Sequence, residues 1–425
     1  MPTKTARASG RRPTGGESDS PSVGSIALSI GAAIGPVVAA IICLQYMVGW
    51  STGGSMRIEA SVAAIVGLTS VFSLGCALVA VRSSWLWFAA MTLGAFVALP
   101  TIAGVVHSYP ETSPIPAVMG AATAAGVFAA YMSRQSATKT LVVVVLGLVV
   151  WLSLAFGLAD ALGADVRGLY ERNLRNWIGV YQLAGIAGHP NGMGLYAGLA
   201  VLLQWQWLVG SPAKLGARVV LWVLGPVASV TALVWTQSRT AWIATSVVVA
   251  ICLLIRLFRT WLWLPTLFLS LLAVAAVLLP MYDFGLHGRW FAWQVVWEST
   301  AGNWLTGVGP YFFTSEFWEE WRISNGRWPP WEPMHAHNQF MESLGLLGVL
   351  GAALCLLAFF VLVRTAGKVR LLDRGWLVAA VGLFLLNSGP EVPFGVGAVA
   401  STFLPVLVLA ALLGLGWRAH SSQRE

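Results

Sequence analysis

Apolar residues in this chain come in long runs separated by short polar breaks. A helix needs about 20 predominantly apolar residues to cross a bilayer. On that measure the pattern predicts about twelve spans, near residues 25–48, 60–81, 84–106, 116–133, 140–159, 192–209, 217–236, 241–257, 260–281, 339–363, 376–395 and 397–416. The predicted fold is all-α: a polytopic integral membrane protein with one helical domain over residues 24–418. Residues 1–23 are polar and rich in Gly, Ser, Pro and Arg, the composition of a disordered tail, and residues 419–425 form a second tail. The run from Ser25 to Val48 is too long for the apolar core of a cleavable signal peptide and reads as the first span. Two breaks are longer than the rest, 160–190 and 282–338.

Composition agrees with the pattern. Hydrophobic residues make up 57% and charged residues 10%, where soluble domains carry about 25% charged residues. Mean hydropathy is +0.75. The net charge of +8 gains meaning when the loops are assigned alternately inside and outside, starting inside. Every lysine and most arginines then fall inside, which is the bias that orients membrane proteins. Both termini are expected in the cytoplasm, and the two long loops outside it. The outer set contains only arginines: Arg57, Arg167, Arg172, Arg175, Arg239, Arg289, Arg322 and Arg327. Guanidinium grips phosphate with paired hydrogen bonds, whereas lysine acts as a point charge. An outer, arginine-only face points to a phosphate-bearing ligand. No basic run with interleaved aromatics suggests nucleic acid. Cys43, Cys76, Cys252 and Cys355 all fall in apolar spans and read as core packing, with no disulfide framework or metal cluster.

All histidines except His420 also fall at or beyond the outer edge: His107, His189, His287, His335 and His337. The loop 282–338 holds Trp290, Trp293, Trp297, Trp304, Trp318, Trp321, Trp328 and Trp331. Two readings of these tryptophans stand: an interfacial belt, or flat faces for sugar rings. Trp290, Trp293 and Trp297 have helical spacing and predict a short amphipathic helix lying on the bilayer. Glu316, Glu319 and Glu320 fit a solvated helix face better than a divalent-ion site. No DxD, Walker A or zinc pattern is present, so neither metal nor cofactor is expected.

Three short segments could carry chemistry. Arg239, in TQSRTAWIA, sits in a tight outer hairpin beside Ser238 and Thr240. It either snorkels to the interface or joins a helix start whose free N–H groups favour anions. Arg289, in HGRWFAWQVVW, falls in a first helical turn, where a cation opposes the helix dipole. His337, in HAHNQFMESLGLLGVLG, enters the tenth span, followed by Asn338 and, farther along, Glu342. It is either a loop histidine bonded to backbone or a general base. Glu342 could orient the imidazole or face a polar cavity. His189-Pro190-Asn191 opens the sixth span, where Asn191 either caps the helix or presents a polar group to the same cavity. Gly345, Gly348 and Gly351 read as close helix packing.

The run TQSRTAW, then GRWFAWQ, GNWLTGVGPYFF and HAHNQFMESLGLLGVLG, resembles the O-antigen ligase and O-antigen polymerase superfamily in order, spacing and topology. The resemblance covers roughly 185–350; earlier residues match only as hydrophobic spans. It implies an inverting, metal-independent glycosyltransferase of the bacterial inner membrane. Such an enzyme moves a glycan from undecaprenyl pyrophosphate to a hydroxyl of a glycan, lipid-glycan or protein acceptor on the outer face. By the same resemblance Arg239 and Arg289 hold the pyrophosphate and His337 is the base. Arg172, Arg175, His189, Asn191, Asn338 and Glu342 are candidate substrate-binding residues. One departure concerns the ligase branch, which often has threonine after the second glycine of the histidine motif. Here Val349 follows Gly348, so ligase and polymerase both stay open.

The physical logic is consistent. No ATP is present outside the inner membrane, so the donor must arrive activated. Pyrophosphate leaves readily, and fixed cations can stabilise its growing charge. A histidine can take the proton of the attacking hydroxyl. The rival readings are a transporter or flippase of lipid-linked glycan and a non-catalytic scaffold. Transporters carry ionisable residues deep in their spans, and these spans hold almost none.

Overall fold

A computed structural model of the protein describes residues 23–54, 58–110, 112–170, 181–209, 223–258, 263–278, 289–325, 336–368, 371–389 and 400–421. The backbone is mostly helical. The first elements are α1 (Val23–Ser51), α2 (Ala60–Ala80), α3 (Ser84–Val97), α4 (Leu99–Val106), α5 (Ile115–Met132) and α6 (Gln135–Ala161). Two short antiparallel strands follow, β1 (Leu169–Tyr170) and β2 (Gln182–Leu183), with Leu169 opposite Leu183. Next come α7 (Pro190–Val209), a π-helical turn (Val223–Val227) around Pro226, α8 (Ala228–Trp235), α9 (Arg239–Leu257) and α10 (Leu264–Leu278). The chain continues through α11 (Arg289–Thr300), α12 (Ser315–Asn325), α13 (Gln339–Lys368), α14 (Leu371–Ser388) and α15 (Ala400–Ser421).

The expected apolar segments become helices, with three differences. First, residues 84–106 are not one straight helix: α3 and α4 meet at a bend of 62°. Pro100 lies in the first turn of α4 and has no N–H to continue the ladder. Second, the loop expected over 160–190 contains the small hairpin, and the described part of 282–338 contains α11 and α12. Third, among the described residues five helices are long and apolar enough to cross a membrane, or six with the bent pair, against about twelve expected along the whole chain. The shortfall lies in shorter apolar helices such as Arg239–Ile255, Leu264–Leu278 and Gly375–Ser388. The two predicted tails lie outside the described residues, apart from Val23 and residues 419–421.

Helices α1, α2, α3, α5 and α15 pack together. Lipid tails supply no hydrophobic drive between helices, so close fit of small residues does the work. A Cβ on Gly94 would lie 2.8 Å from the Gly120 carbonyl, and one on Gly35 would lie 2.6 Å from the Ser70 Cα. Ser73 inserts its hydroxyl into α1, accepting from the Gly35 N–H (2.9 Å) and donating to the Gly31 carbonyl (3.0 Å).

The second group is α7, α9, α10, α13 and α14, and the glycine contacts give its directions. Gly194 faces Ser238 and Ala241, and Gly198 faces Thr245, so α7 and α9 run parallel. Gly198 also faces Leu383, and Gly375 faces Gln206, so α14 runs against both. Gly367 meets Thr266, and Asn338 bonds the Ala276 carbonyl, so α10 and α13 are antiparallel. The starts of α7, α9 and α13 and the ends of α10 and α14 therefore share one end of the bundle, called the upper end below. At the opposite end Arg364 stacks over Trp85 (4.5 Å) and Arg418 donates to the Ser133 carbonyl.

The long helix α13 is broken at Leu347 (φ −136°, ψ 22°) and Gly348 (φ 58°, ψ −141°). The segment 303–309 docks into the break. Val308 N–H donates to the Gly345 carbonyl (2.8 Å) and Val349 N–H to the Trp304 carbonyl (2.7 Å). His107 Nε2 bonds the Thr306 carbonyl (2.8 Å) from the end of α4. The glycines do mediate close packing, but of a loop against an opened helix. A Cβ on Gly348 would collide with the Trp304 carbonyl and lie 2.7 Å from the Gly307 nitrogen. Gly348→Ala should therefore lose well over the ~1–2 kcal/mol that the left-handed conformation alone costs a residue with a Cβ. Thermal unfolding in detergent checks this, with Gly75→Ala, whose added Cβ meets nothing within 4 Å, as the control.

Candidate active site

Two turns at the upper end share one local design. After α8, Gln237 takes a left-handed conformation (φ 50°), Ser238 is extended, and Arg239 is the first residue of α9. Ahead of α13, His337 is left-handed (φ 48°), Asn338 follows, and Gln339 starts the helix. In each case the middle residue caps the helix. Ser238 Oγ accepts from the Ala241 N–H (3.3 Å), and Asn338 Oδ1 accepts from the Met341 N–H (2.9 Å). Side-chain acceptors satisfy N–H groups that a helix start leaves unbonded. A positive φ is uncommon outside glycine, and such residues concentrate at functional sites.

Each cap also joins helices. Ser238 Oγ donates to Asn191 Oδ1 (2.7 Å), linking the starts of α7 and α9. The helix-capping contact at α7 comes from His189, whose Nδ1 accepts the Asn191 N–H (3.2 Å). Asn191 lies within the first turn, half-buried, with its amide directed at Ser238. Asn338 is fully buried, and its Nδ2 donates to the carbonyls of Ala276 (2.8 Å) and Gly389 (2.7 Å). Its amide is thus occupied on both sides by the ends of α10 and α14 and its own helix.

His337 is half-buried and sits beside Ala336, whose two backbone polar groups are both held by side chains. Glu342 Oε2 accepts the Ala336 N–H (2.6 Å), and Trp293 Nε1 donates to the Ala336 carbonyl (2.7 Å). Glu342 is buried at 1% exposure, and its Oε1 has no hydrogen-bond partner among the described residues. Trp293 lies one helical turn beyond Arg289 on α11, so the two share a face. α11 also packs on α13, where a Cβ on Gly345 would touch Val296 at 3.4 Å. Arg289 is half-buried and Arg239 exposed.

The predicted amphipathic stripe of α11 is corrected by this packing. Trp293 is buried at 1% exposure, whereas Trp290 and Trp297 are 40% and 49% exposed. The indole spent on Ala336 belongs to the protein interior, so the three tryptophans do not present one face to lipid.

The upper end thus gathers His189, Asn191, Arg239, Arg289, His337, Asn338 and Glu342. Arg172 and Arg175, with His287 and His335, lie outside the described residues. Glu319 and Glu320 are exposed on α12, and among the described residues no three His, Cys, Asp or Glu side chains form a metal-binding group. Sequence reasoning missed Gln237, Trp293 as a hydrogen-bond donor, and the bond of His107 to the Thr306 carbonyl. Trp293 had an available signal, since a tryptophan one turn after Arg289 can lie on the arginine's face.

Apolar helices around a polar upper end with arginines and an imidazole define a multi-pass membrane protein with an end-of-bundle site. Residues 224–356 match the family model Wzy_C, described as O-antigen ligase. Over that stretch the chain is similar to the O-antigen ligase family, and its long apolar helices agree with a multi-pass membrane protein. The match spans Arg239, Arg289, His337, Asn338 and Glu342, and runs from the π-helical turn to beyond the break in α13. No curated protein gives a significant match to the chain.

Because Asn338 supplies a cap and two interhelical bonds, Asn338→Ala should cost about 2–4 kcal/mol, summing ~0.5–1.5 per hydrogen bond and ~1 for the cap. The check is a drop in melting temperature of the purified protein, with Ser324→Ala on the exposed surface of α12 unchanged.

Proposed function

We propose that the upper end of the bundle faces the extracytoplasmic side. There it transfers a glycan from undecaprenyl pyrophosphate to an acceptor hydroxyl, with inversion at the anomeric carbon. O-antigen ligase-type glycosyl transfer is supported by the domain match; the donor, the residue roles and the side are the proposal. The observation that carries it is the tie between Arg289 and His337: the tryptophan one turn beyond the arginine bonds the residue before the histidine.

In this reading Arg239 and Arg289 bind the pyrophosphate and stabilise charge as the bond from the anomeric carbon to the phosphate oxygen breaks. His337 takes the proton of the acceptor hydroxyl as its oxygen bonds to that carbon. Undecaprenyl pyrophosphate leaves with the bonding electron pair, and the proton passes from His337 to solvent. The left-handed backbone at His337 orients the imidazole before the acceptor arrives, so no reorganisation is needed during reaction. Ser238 and Asn191 keep the starts of α7 and α9 in register behind Arg239.

A lipid-carried donor also suits the membrane-facing surface. An apolar groove of about 280 Å³ runs between α10 and α13, lined by residues including Val274, Val277, Leu278, Leu356 and Phe359. Its upper rim at Val277 adjoins Ala276, whose carbonyl Asn338 holds. An isoprenoid chain seated there would leave its pyrophosphate at the level of His337.

Reconstitution with a lipid-pyrophosphate glycan and an acceptor tests the chemistry. Arg239→Ala, Arg289→Ala and His337→Ala should each reduce transfer by at least ~10²-fold with normal membrane insertion. Wild-type turnover in any of them removes that residue from the mechanism, and translocation of the intact lipid-linked glycan without product would replace the enzyme reading by a transporter. A separate experiment reads the groove. Val274→Trp should raise the KM for a long-chain donor about tenfold, or ~1.4 kcal/mol of binding, and spare a short-chain analogue. Equal impairment with both chain lengths counts against a tail site.

A further inference from the structure

His337 occupies a backbone conformation that its own neighbours do not favour, and two side chains from different parts of the chain hold the preceding residue. The Glu342 carboxylate comes from the first turn of α13 and takes the Ala336 N–H (2.6 Å). The Trp293 indole comes from α11 and gives its N–H to the Ala336 carbonyl (2.7 Å). On the other side of His337, Asn338 is held by three helices. The histidine backbone is thus anchored before and after, while the residue as a whole is half-buried at the upper end, with its Nδ1 buried.

Burying a carboxylate in this position is costly unless it is hydrogen-bonded. Glu342 makes one strong bond to backbone, and its second oxygen has no partner among the described residues. Helix stability does not require it. The Glu342 backbone N–H is already served by the Asn338 carbonyl (2.9 Å), and the cap is supplied by Asn338 Oδ1. What the carboxylate does serve is Ala336, six residues back and outside the helix. Trp293 is likewise fully buried yet spends its indole N–H on the same residue.

We infer that Glu342 and Trp293 form a positioning pair that clamps Ala336, holding His337 in its left-handed conformation and setting it against the helix that begins with Arg289. The inference rests on the reading of His337 as the base, but the clamp can be measured apart from catalysis. Glu342 and Trp293 touch neither donor nor acceptor in this scheme. They act through the Ala336 backbone, so they govern kcat and leave donor binding alone. Because both grip one residue, loss of either loosens the same element, and their effects do not multiply.

The test uses the full-length protein in nanodiscs and reads two quantities. One is the rate of diethyl pyrocarbonate modification of His337, followed by mass spectrometry; the other is steady-state kinetics with the lipid-pyrophosphate glycan. Glu342→Leu should change the modification rate at least threefold and lower kcat about a hundredfold, with donor KM within twofold of wild type. Glu342→Gln keeps an oxygen for the Ala336 N–H and should restore kcat to within threefold. Trp293→Phe keeps the ring and removes the donor. It should move both readouts in the same direction as Glu342→Leu and provides the test if Glu342→Leu does not fold. The Glu342→Leu, Trp293→Phe double variant should lose far less than the product of the single losses.

The clamp is overturned if the modification rate is unchanged in both single variants, if Glu342→Gln is as impaired as Glu342→Leu, or if the single losses multiply. If the modification rate shifts as expected but His337→Ala keeps full turnover, the clamp stands and the assignment of His337 as base fails.

Discussion

The side-chain amide of Asn338 joins the ends of three helices where few other groups could do so. Helix termini leave backbone carbonyls and N–H groups without partners, and at membrane depth water is not there to satisfy them. Asn338 donates to the carbonyls of Ala276, in the last turn of α10, and Gly389, just beyond α14, and caps α13 with its oxygen. Those three bonds set the height at which α13 begins relative to its neighbours. His337 immediately precedes this residue, so the same bonds set the height of the imidazole. Ser238 does the corresponding work one layer over, between α7 and α9, with Arg239 directly after it. The candidate site is built from the residues that close helix ends and those beside them.

The broken helix α13 serves the same end. An unbroken helix would present a continuous surface to α11 and leave no place for the loop 303–309. The break at Leu347 and Gly348 frees backbone groups, and the loop takes them up through the Val308 N–H and the Trp304 carbonyl. That exchange lets α11 lie along the first half of α13 and brings Trp293 to Ala336. The break thus couples the helix that carries Arg289 to the turn that carries His337. Gln237 and His337 both hold left-handed conformations, each one residue before a helix-capping side chain.

Much of this was legible in the sequence because membrane segments advertise themselves by length and apolarity. The helices over 23–51, 60–80, 115–132 and 135–161 were visible as runs, and the motifs around Arg239, Arg289 and His337 led to the family whose model matches residues 224–356. The bend at Ala98 was not read, although Pro100 marks it, because hydropathy averages over a turn and cannot register one missing N–H. The role of Trp293 was not read because helical spacing places three tryptophans along a helix without saying which of them meets another segment. Asn338 and Glu342 were marked as polar groups for a ligand. In the structure Asn338 bonds helix ends, and one Glu342 oxygen accepts a backbone N–H while the other has no hydrogen-bond partner among the described residues.

What the sequence determined alone was the apolar character of the spans, the helical class and which charged and polar residues stand at their ends, because burial cost and side-chain chemistry are local properties. Tertiary structure decided which polar groups are spent on holding helix ends together and where the others stand at the upper end. That division depends on hydrogen bonds between residues far apart in the chain, such as Trp293 with Ala336 and Asn338 with Ala276 and Gly389. Such partners follow only from how the helices pack.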